Sequence, residues 1–276
     1  MKQLETAFIT GAASGIGRAL ALALAEKGTA LYLTDIDADA LAETGAEVRK
    51  HQANVHLQVL DVADRAAVEA AAGDAVAKLG PMDAVFNNAG VSMSDTVSQM
   101  GYADLEWLMN INFYGVVYGT KAFLPDMLAR GRGHIVNVSS LFGLIGVGSQ
   151  SAYCAAKHAV KGFNESLYYE LEGTGVQVHS VHPGGVDTNI VANGKHLHNV
   201  DGDTSADKAQ DGFKDMIKTS AEGAAKTILD GVRKGQYRIL VGTDARRIDR
   251  LQRWMPNRWR QLFSKAMADR RGKSPF

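Results

Sequence analysis

Tyr153 and Lys157 stand four residues apart in SAYCAAKHAVKGF, a helical stretch, and that spacing puts both side chains on one helix face. A free phenol has a pKa of about 10, so a tyrosine base at neutral pH needs roughly three units of help, about 4 kcal/mol. A neighbouring ammonium supplies part of that help, and a cationic ligand group supplies more. The alternative is a plain exposed i,i+4 pair, and the pair alone does not decide between them.

A second group of residues sits near the N-terminus. Thr10–Gly17 reads TGAASGIG, with glycines at 11, 15 and 17 between an apolar run and a helix. Glycine gives a turn there backbone freedom and allows close approach to a pyrophosphate, for which the helix N-terminus supplies aligned N–H donors. The spacing departs from the G-x-G-x-x-G fingerprint, and tight strand–helix packing would also account for such glycines. Asp35 ends the next apolar run. A carboxylate there accepts hydrogen bonds from a ribose 2′-OH and repels a 2′-phosphate. No Arg or Lys stands in Thr34-Asp35-Ile36-Asp37, which favours NAD over NADP. Asp37 and Asp39 read as solvated loop acids.

These residues need a scaffold, and the hydrophobic pattern supplies one. Short β-rich runs are expected at Thr6–Thr10, Ala30–Thr34, Val55–Leu60, Ala84–Asn87, Ile135–Ser139, Val176–Val181 and Tyr237–Val241. Helical runs at Arg18–Lys27, Asp39–His51 and Asp64–Leu79 separate the first four. Strands that are apolar throughout and alternate with helices imply a parallel sheet covered on both faces. The expectation is an α/β, doubly wound Rossmann fold with a seven-stranded parallel sheet and a C-terminal amphipathic helical tail.

Composition limits the remaining choices. The 276 residues carry 30 Lys+Arg and 30 Asp+Glu, so global charge selects neither nucleic acid nor an acidic partner. A single cysteine, Cys154, rules out an internal disulfide and a multi-cysteine zinc site, and no metal is expected. No apolar run approaches a membrane span, and MKQLETAFIT lacks the apolar stretch of a signal peptide. A cytoplasmic, soluble protein is expected. The neutral total hides an asymmetry: Ala245–Phe276 holds ten Lys or Arg against Asp249 and Asp269, a net +8, and the rest of the chain is net −8.

TGAASGIG, Asn87–Gly90 (NNAG), Ser140, Tyr153-x-x-x-Lys157 and Pro183-Gly184 stand in the order and spacing of the short-chain dehydrogenases/reductases. The chain resembles that family over residues 1 to about 245. The resemblance implies that Ser140, thirteen residues before Tyr153, orients the substrate oxygen, while Ser139 does not. It implies that Tyr153 is the general acid/base, and that Lys157 binds the nicotinamide ribose and lowers the Tyr153 pKa. Asn112, with Asn110 as the fallback, would hold a water in the proton relay. Gly11, Ser14, Gly15, Ile16 and Gly17 would form the pyrophosphate turn, and Asp35 would take the ribose. Asp61-Val62 would contact adenine, Asn88-Ala89-Gly90 would wall the adenosine ribose, and Pro183, Gly184, Val186 and Thr188 would grip the nicotinamide amide. The implied activity is NAD(H)-dependent interconversion of a secondary alcohol and a ketone; the alternatives are an NADPH-dependent ketone reductase and a non-catalytic nucleotide-binding scaffold. The family commonly forms homodimers and homotetramers.

Other candidates carry less. His196 and His198 form an H-x-H pair with no third ligand nearby. His158 and His182 read as structural, and Cys154 as a small buried hydrophobe. No G-x-x-x-x-G-K-[ST] loop exists, which argues against ATP chemistry. Leu141–Gly148 (LFGLIGVG) and Val91–Met100 suggest a pocket for an apolar alcohol or ketone, or else simple core packing. A lid is expected at about 190–220, with a short helix near Lys208–Lys218. In the 246–276 extension, Ile248, Leu251 and Met255 recur at helical spacing, Pro256 breaks the run, and Trp259, Leu262, Phe263 and Met267 resume it. Such a basic amphipathic pair docks on protein, the chain's own body or another subunit, or else makes peripheral contact with an anionic membrane.

Overall fold

In the first strand, β1 (Thr6–Thr10), Ala7 and Ile9 face one side and Phe8 the other, and all three are fully buried. β2 (Ala30–Asp35) repeats the pattern, with Leu31 and Leu33 opposite Tyr32. Period-two side chains buried on both faces require helices above and below the sheet, and the chain supplies them. This computed structural model describes residues 3–52, 54–198 and 217–262.

In chain order α1 (Gly15–Ala25) follows β1, and α2 (Ala38–Val48) follows β2. Next come β3 (Val55–Val59), α3 (Arg65–Leu79), β4 (Ala84–Asn87) and the two-residue β5 (Met93–Ser94). α4 (Tyr102–Met109) runs through a π-helical turn, Asn110–Tyr114, into α5 (Gly115–Arg130). β6 (Gly133–Val138), α6 (Ser151–Glu170), β7 (Val176–Pro183), the short β8 (Lys195–His196), α7 (Ala221–Arg233), β9 (Arg238–Val241) and α8 (Thr243–Trp254) complete it. The main sheet has seven strands, all parallel, in the order β3-β2-β1-β4-β6-β7-β9. The expected doubly wound Rossmann architecture is therefore the observed one.

Leu20, Leu24, Ile228 and Val232 from α1 and α7 cover one face of the sheet. Phe123, Met127, Leu167 and Val68 from α5, α6 and α3 cover the other. Strand order reverses between β1 and β4, so the chain leaves those two strands in opposite directions. A crevice opens at their carboxyl ends, the place where ligands bind in open α/β sheets.

Ends and short elements depart from the sequence expectation. α1 starts at Gly15 rather than Arg18, so the glycine turn merges into the helix. Asp37 and Asp64 are N-caps whose carboxylates accept from Ala40 N–H and Ala67 N–H, so Asp37 is more than a solvated loop acid. β7 extends to Pro183, placing that residue at the sheet's carboxyl edge. The pattern reading passed over α7, although Ser220 caps it by accepting from Gly223 N–H. It also passed over the β5–β8 pair, too short to leave a pattern. Residues 208–216 of the helix suggested near Lys208–Lys218 lie outside the described residues, and Lys218 is not helical.

Candidate active site

The glycine turn closes on itself where the strand order reverses. Gly11 (φ 66°) and Gly15 (φ 51°) occupy the left-handed region that side chains disfavour. A Cβ on Gly17 would collide with the Gly11 carbonyl, and one on Gly11 would lie 2.8 Å from the Ala89 Cα. Ser14 is the N-cap of α1 but makes no side-chain cap bond, so Gly15, Ile16 and Gly17 open a helix end left to other acceptors. Asn88 ties the turn to the end of β4: its Nδ2 donates to the Thr10 and Gly11 carbonyls. The Asn88 and Ala89 amides both donate to Thr10 Oγ1. Thr188 lies against the turn, 2.9 Å from where a Gly15 Cβ would sit.

Asp35 ends β2 beside the turn. Its Oδ2 accepts from Ala13 N–H at 2.9 Å and its Oδ1 from Asp37 N–H at 3.1 Å, while Ile36 stands exposed next to it. Asp61 accepts from Ala63 N–H, and the buried Val62 packs where a Gly115 Cβ would be. These features fit a nicotinamide dinucleotide: a narrow glycine cradle, an uncapped helix N-terminus and a carboxylate at the end of the second strand.

The Tyr–Lys pair stands on α6 at the same edge of the sheet. Tyr153 is 9% exposed and Lys157 2%, with Lys157 Nζ 5.8 Å from the tyrosine ring centre. An exposed surface pair is therefore ruled out by burial. Lys157 Nζ donates to the Val138 carbonyl at 3.0 Å, which aims the ammonium at the end of β6. Burial pushes the Tyr153 phenol up to about 12, partly offset by its hydrogen bond with Ser140. Burial also pulls the Lys157 amine down to about 8, so it stays mostly charged at neutral pH. Unassisted, the phenol holds its proton, and a base role demands about five units, near 7 kcal/mol, from neighbouring positive charge.

Asn112 lies in the π-helical turn and is fully buried, whereas Asn110 is exposed. The Asn112 side chain exchanges two 2.8 Å bonds with Val91, accepting from its N–H and donating to its carbonyl. A Cβ on Gly90 would lie 3.0 Å from Asn112 Oδ1 and 3.4 Å from Lys157 Nζ, so Gly90 lets the chain pass close to both side chains. π-turns recur at functional sites, and this one carries a sequence-predicted residue.

Ser140 caps the short 3₁₀ turn Leu141–Gly143, accepting from Phe142 N–H. Its neighbour Ser139 turns away and donates to the Lys157 carbonyl. Behind Ser140 runs a buried polar chain that sequence patterning gave no signal for. Asn87 Nδ2 donates to Asn137 Oδ1, Asn137 Nδ2 to Asn164 Oδ1, and Asn164 Nδ2 to Ser180 Oγ. Ser180 Oγ lies 3.0 Å from His182 Nε2, and His182 Nδ1 lies 3.1 Å from the Ser140 carbonyl. The only consistent tautomer has His182 Nδ1–H donating to that carbonyl and Nε2 accepting from Ser180. His182 thus keeps its expected structural role, and the structure it holds is the backbone of Ser140.

The expected apolar pocket is divided. Leu141, Leu144 and Ile145 join a core cluster with Ala245 of α8 and Trp259 of the C-terminal extension. They are core, because α8 and the turn beyond it need a surface to cover their apolar face. Phe142 instead meets the Tyr153 ring edge-on at 6.2 Å, joined by Met93, Leu108 and Ile190. Within the extension Trp259 is 3% exposed while Trp254 is 85% exposed. Phe263 and Met267 lie outside the described residues, and the boundary placed after residue 245 falls within α8. Of the 190–220 segment expected as a lid, residues 199–216 lie outside the described residues; its described part contains β8, paired with β5, and His196 and His198 bond the Val191 carbonyl and Asp95. His158 bonds the Cys154 carbonyl, and Cys154 is buried. Among the described residues no helix is long and apolar enough to cross a membrane.

The chain matches the family model for short chain dehydrogenases over residues 5–197. It is 46% identical over 268 residues to the protein named oxidoreductase SadH of Mycobacterium tuberculosis, covering 96% of this chain and 95% of that one. It is 33% identical over 263 residues to 1-deoxy-11-beta-hydroxypentalenate dehydrogenase of Streptomyces avermitilis, covering 94% and 92%. Among solved structures it is similar to a short chain dehydrogenase/reductase from Burkholderia phymatum in complex with NAD, with a TM-score of 0.83, 32% identity, and 92% and 95% coverage. A reversed-order parallel sheet, a glycine turn at its switch point and a buried Tyr–Lys pair with Ser140 beside it thus agree with sequence and structural kinship: the chain belongs to the short-chain dehydrogenase/reductase family and is an oxidoreductase acting on CH–OH groups.

Proposed function

We propose that the enzyme interconverts an apolar secondary alcohol and its ketone with NAD(H), using Asn112, Ser140, Tyr153 and Lys157. The observation that carries this reading is the burial of Tyr153 against Lys157, with Ser140 in hydrogen-bond reach of the phenol. Bound nicotinamide supplies the hydride acceptor for oxidation and the hydride donor for reduction.

In the reducing direction Ser140 Oγ and Tyr153 Oη orient the ketone oxygen, and the protonated phenol donates its proton as the oxygen gains charge. With burial pushing its phenol up to about 12, Tyr153 carries that proton at neutral pH, and the Lys157 ammonium beside it favours its release. In the oxidising direction Tyr153 takes the hydroxyl proton, and the Lys157 ammonium stabilises the phenolate across the shared helix face. Both polar groups of the Asn112 side chain are engaged with Val91.

NAD rather than NADP is supported by Asp35 at the end of β2, whose carboxylate would repel a 2′-phosphate, and by the NAD complex of the similar Burkholderia phymatum protein. An apolar substrate is supported by Phe142, Met93, Leu108 and Ile190 around Tyr153, and an alcohol by a relative named a hydroxypentalenate dehydrogenase. We also assign a homodimer or homotetramer with no nucleic-acid partner, and an extension whose described residues pack on the protein body through Trp259. The test is Tyr153→Phe. NADH fluorescence titration should show near-normal binding while turnover across a panel of secondary alcohols and ketones falls at least about a hundredfold, the scale of lost general acid/base catalysis. Retention of more than a few per cent of wild-type kcat overturns the assignment.

A further inference from the structure

We infer that Asp244, in the first turn of α8, is a positioning residue that holds the Pro183–Thr188 segment against the nicotinamide end of the cofactor; this rests on the dinucleotide reading above. Asp244 Oδ2 accepts from Gly185 N–H at 2.7 Å, a bond between distant parts of the sequence that ties the first turn of α8 to the carboxyl end of β7. The approach is tight on both sides. A Cβ on Gly184 would collide with the Asp244 carboxylate, and so would one on Gly242, which has a φ of 95°. Only glycine at both positions lets this side chain lie flat against the backbone.

The same segment is held from a second direction. Val186 bridges Thr219, Asp187 N–H donates to the Thr219 carbonyl, and Lys218 N–H and Thr219 N–H donate to the Gly185 carbonyl. Gly184 N–H donates to the Val241 carbonyl at 2.9 Å. Each of these is a neutral backbone bond, and Asp244 supplies the charge-assisted one. Its second oxygen, Oδ1, is buried and unpartnered, a cost that a merely space-filling residue would not carry. From Gly185 the chain continues through Val186 to Thr188, which reaches back over Gly15. Displacing Gly185 would therefore move the wall of the nicotinamide end and leave the adenosine end, built from Asp35, Asn88 and Gly11, in place.

Two ligands separate the ends of the site. ADP-ribose lacks nicotinamide and NADH carries it. In Asp244→Ala the NADH Kd should rise at least about fivefold, the low end for losing a charge-assisted bond to a buried N–H, while the ADP-ribose Kd stays within about twofold. KM for the dinucleotide should rise with it. Asp244→Asn, whose amide oxygen still accepts, should recover most of the NADH affinity. Gly184→Ala, which pushes the carboxylate aside, should reproduce the Asp244→Ala pattern. An unchanged NADH Kd overturns the inference. So does equal weakening of both ligands, which would mean that Asp244 only supports the fold. Wild-type protein that binds ADP-ribose but not NADH would instead bring down the dinucleotide reading itself.

Discussion

Acidification should weaken this protein through His182, and should do so in a defined window. His182 is 1% exposed, and burial holds its imidazole down at about 4. An unfolded histidine titrates near 6.5. Between those values the unfolded chain binds a proton that the folded chain refuses. Stability attached to His182 is therefore complete above about pH 6.5 and is lost as pH falls from 6.5 towards 4. The full span is about 2.5 units, near 3 kcal/mol, and about 2 kcal/mol of it is gone on moving from pH 7 to pH 5. Against a domain stability of about 5–15 kcal/mol that loss is large enough to measure. His182→Asn retains a donor close to the Nδ1 position, where it meets the Ser140 carbonyl, and cannot ionise. Urea unfolding of both proteins at pH 7 and pH 5 isolates the term. The wild type should lose about 2 kcal/mol more than the variant. His179 supplies a control: it too is held down at about 4 by burial, yet it bonds the Gln236 carbonyl and His134, away from Ser140. His179→Asn should remove a similar pH dependence and leave kcat unchanged, whereas His182→Ala should lower kcat. Identical pH dependence in the wild type and both Asn variants would refute the reasoning.

The other predictions concern the cofactor and the tail. Asp35→Ala combined with Ile36→Arg removes the carboxylate and adds a guanidinium at an exposed neighbour, so kcat/KM should shift from NAD towards NADP; a wild type that already prefers NADP would contradict the role given to Asp35. Trp259→Ala opens a cavity beneath Leu141, Leu144 and Ile145, the residues that directly follow Ser140. It should cost about 3 kcal/mol in urea unfolding and lower kcat, whereas an unchanged unfolding curve would show that the extension is dispensable.

Much of this protein was legible before folding was considered. The seven apolar runs marked the sheet because a parallel strand buried on both faces needs unbroken hydrophobicity. TGAASGIG marked the switch point because a turn passing this close to Ala89 and to its own Gly11 carbonyl admits only glycine at 11 and 17. Tyr153 and Lys157 shared a face by helical geometry alone. Three things were settled only by tertiary structure. The burial of the Tyr–Lys pair, which raises the phenol and lowers the amine, depends on Phe142, Met93 and Leu108 arriving from distant parts of the chain. The division of LFGLIGVG into Phe142 beside Tyr153 and three core residues beneath Trp259 depends on where α8 docks. The polar chain from Asn87 to His182 and the bond from Asp244 to Gly185 join residues with no periodic relation. Local spacing encodes which residues share an element, but a hydrogen bond between elements is encoded only in how the sheet brings their ends together.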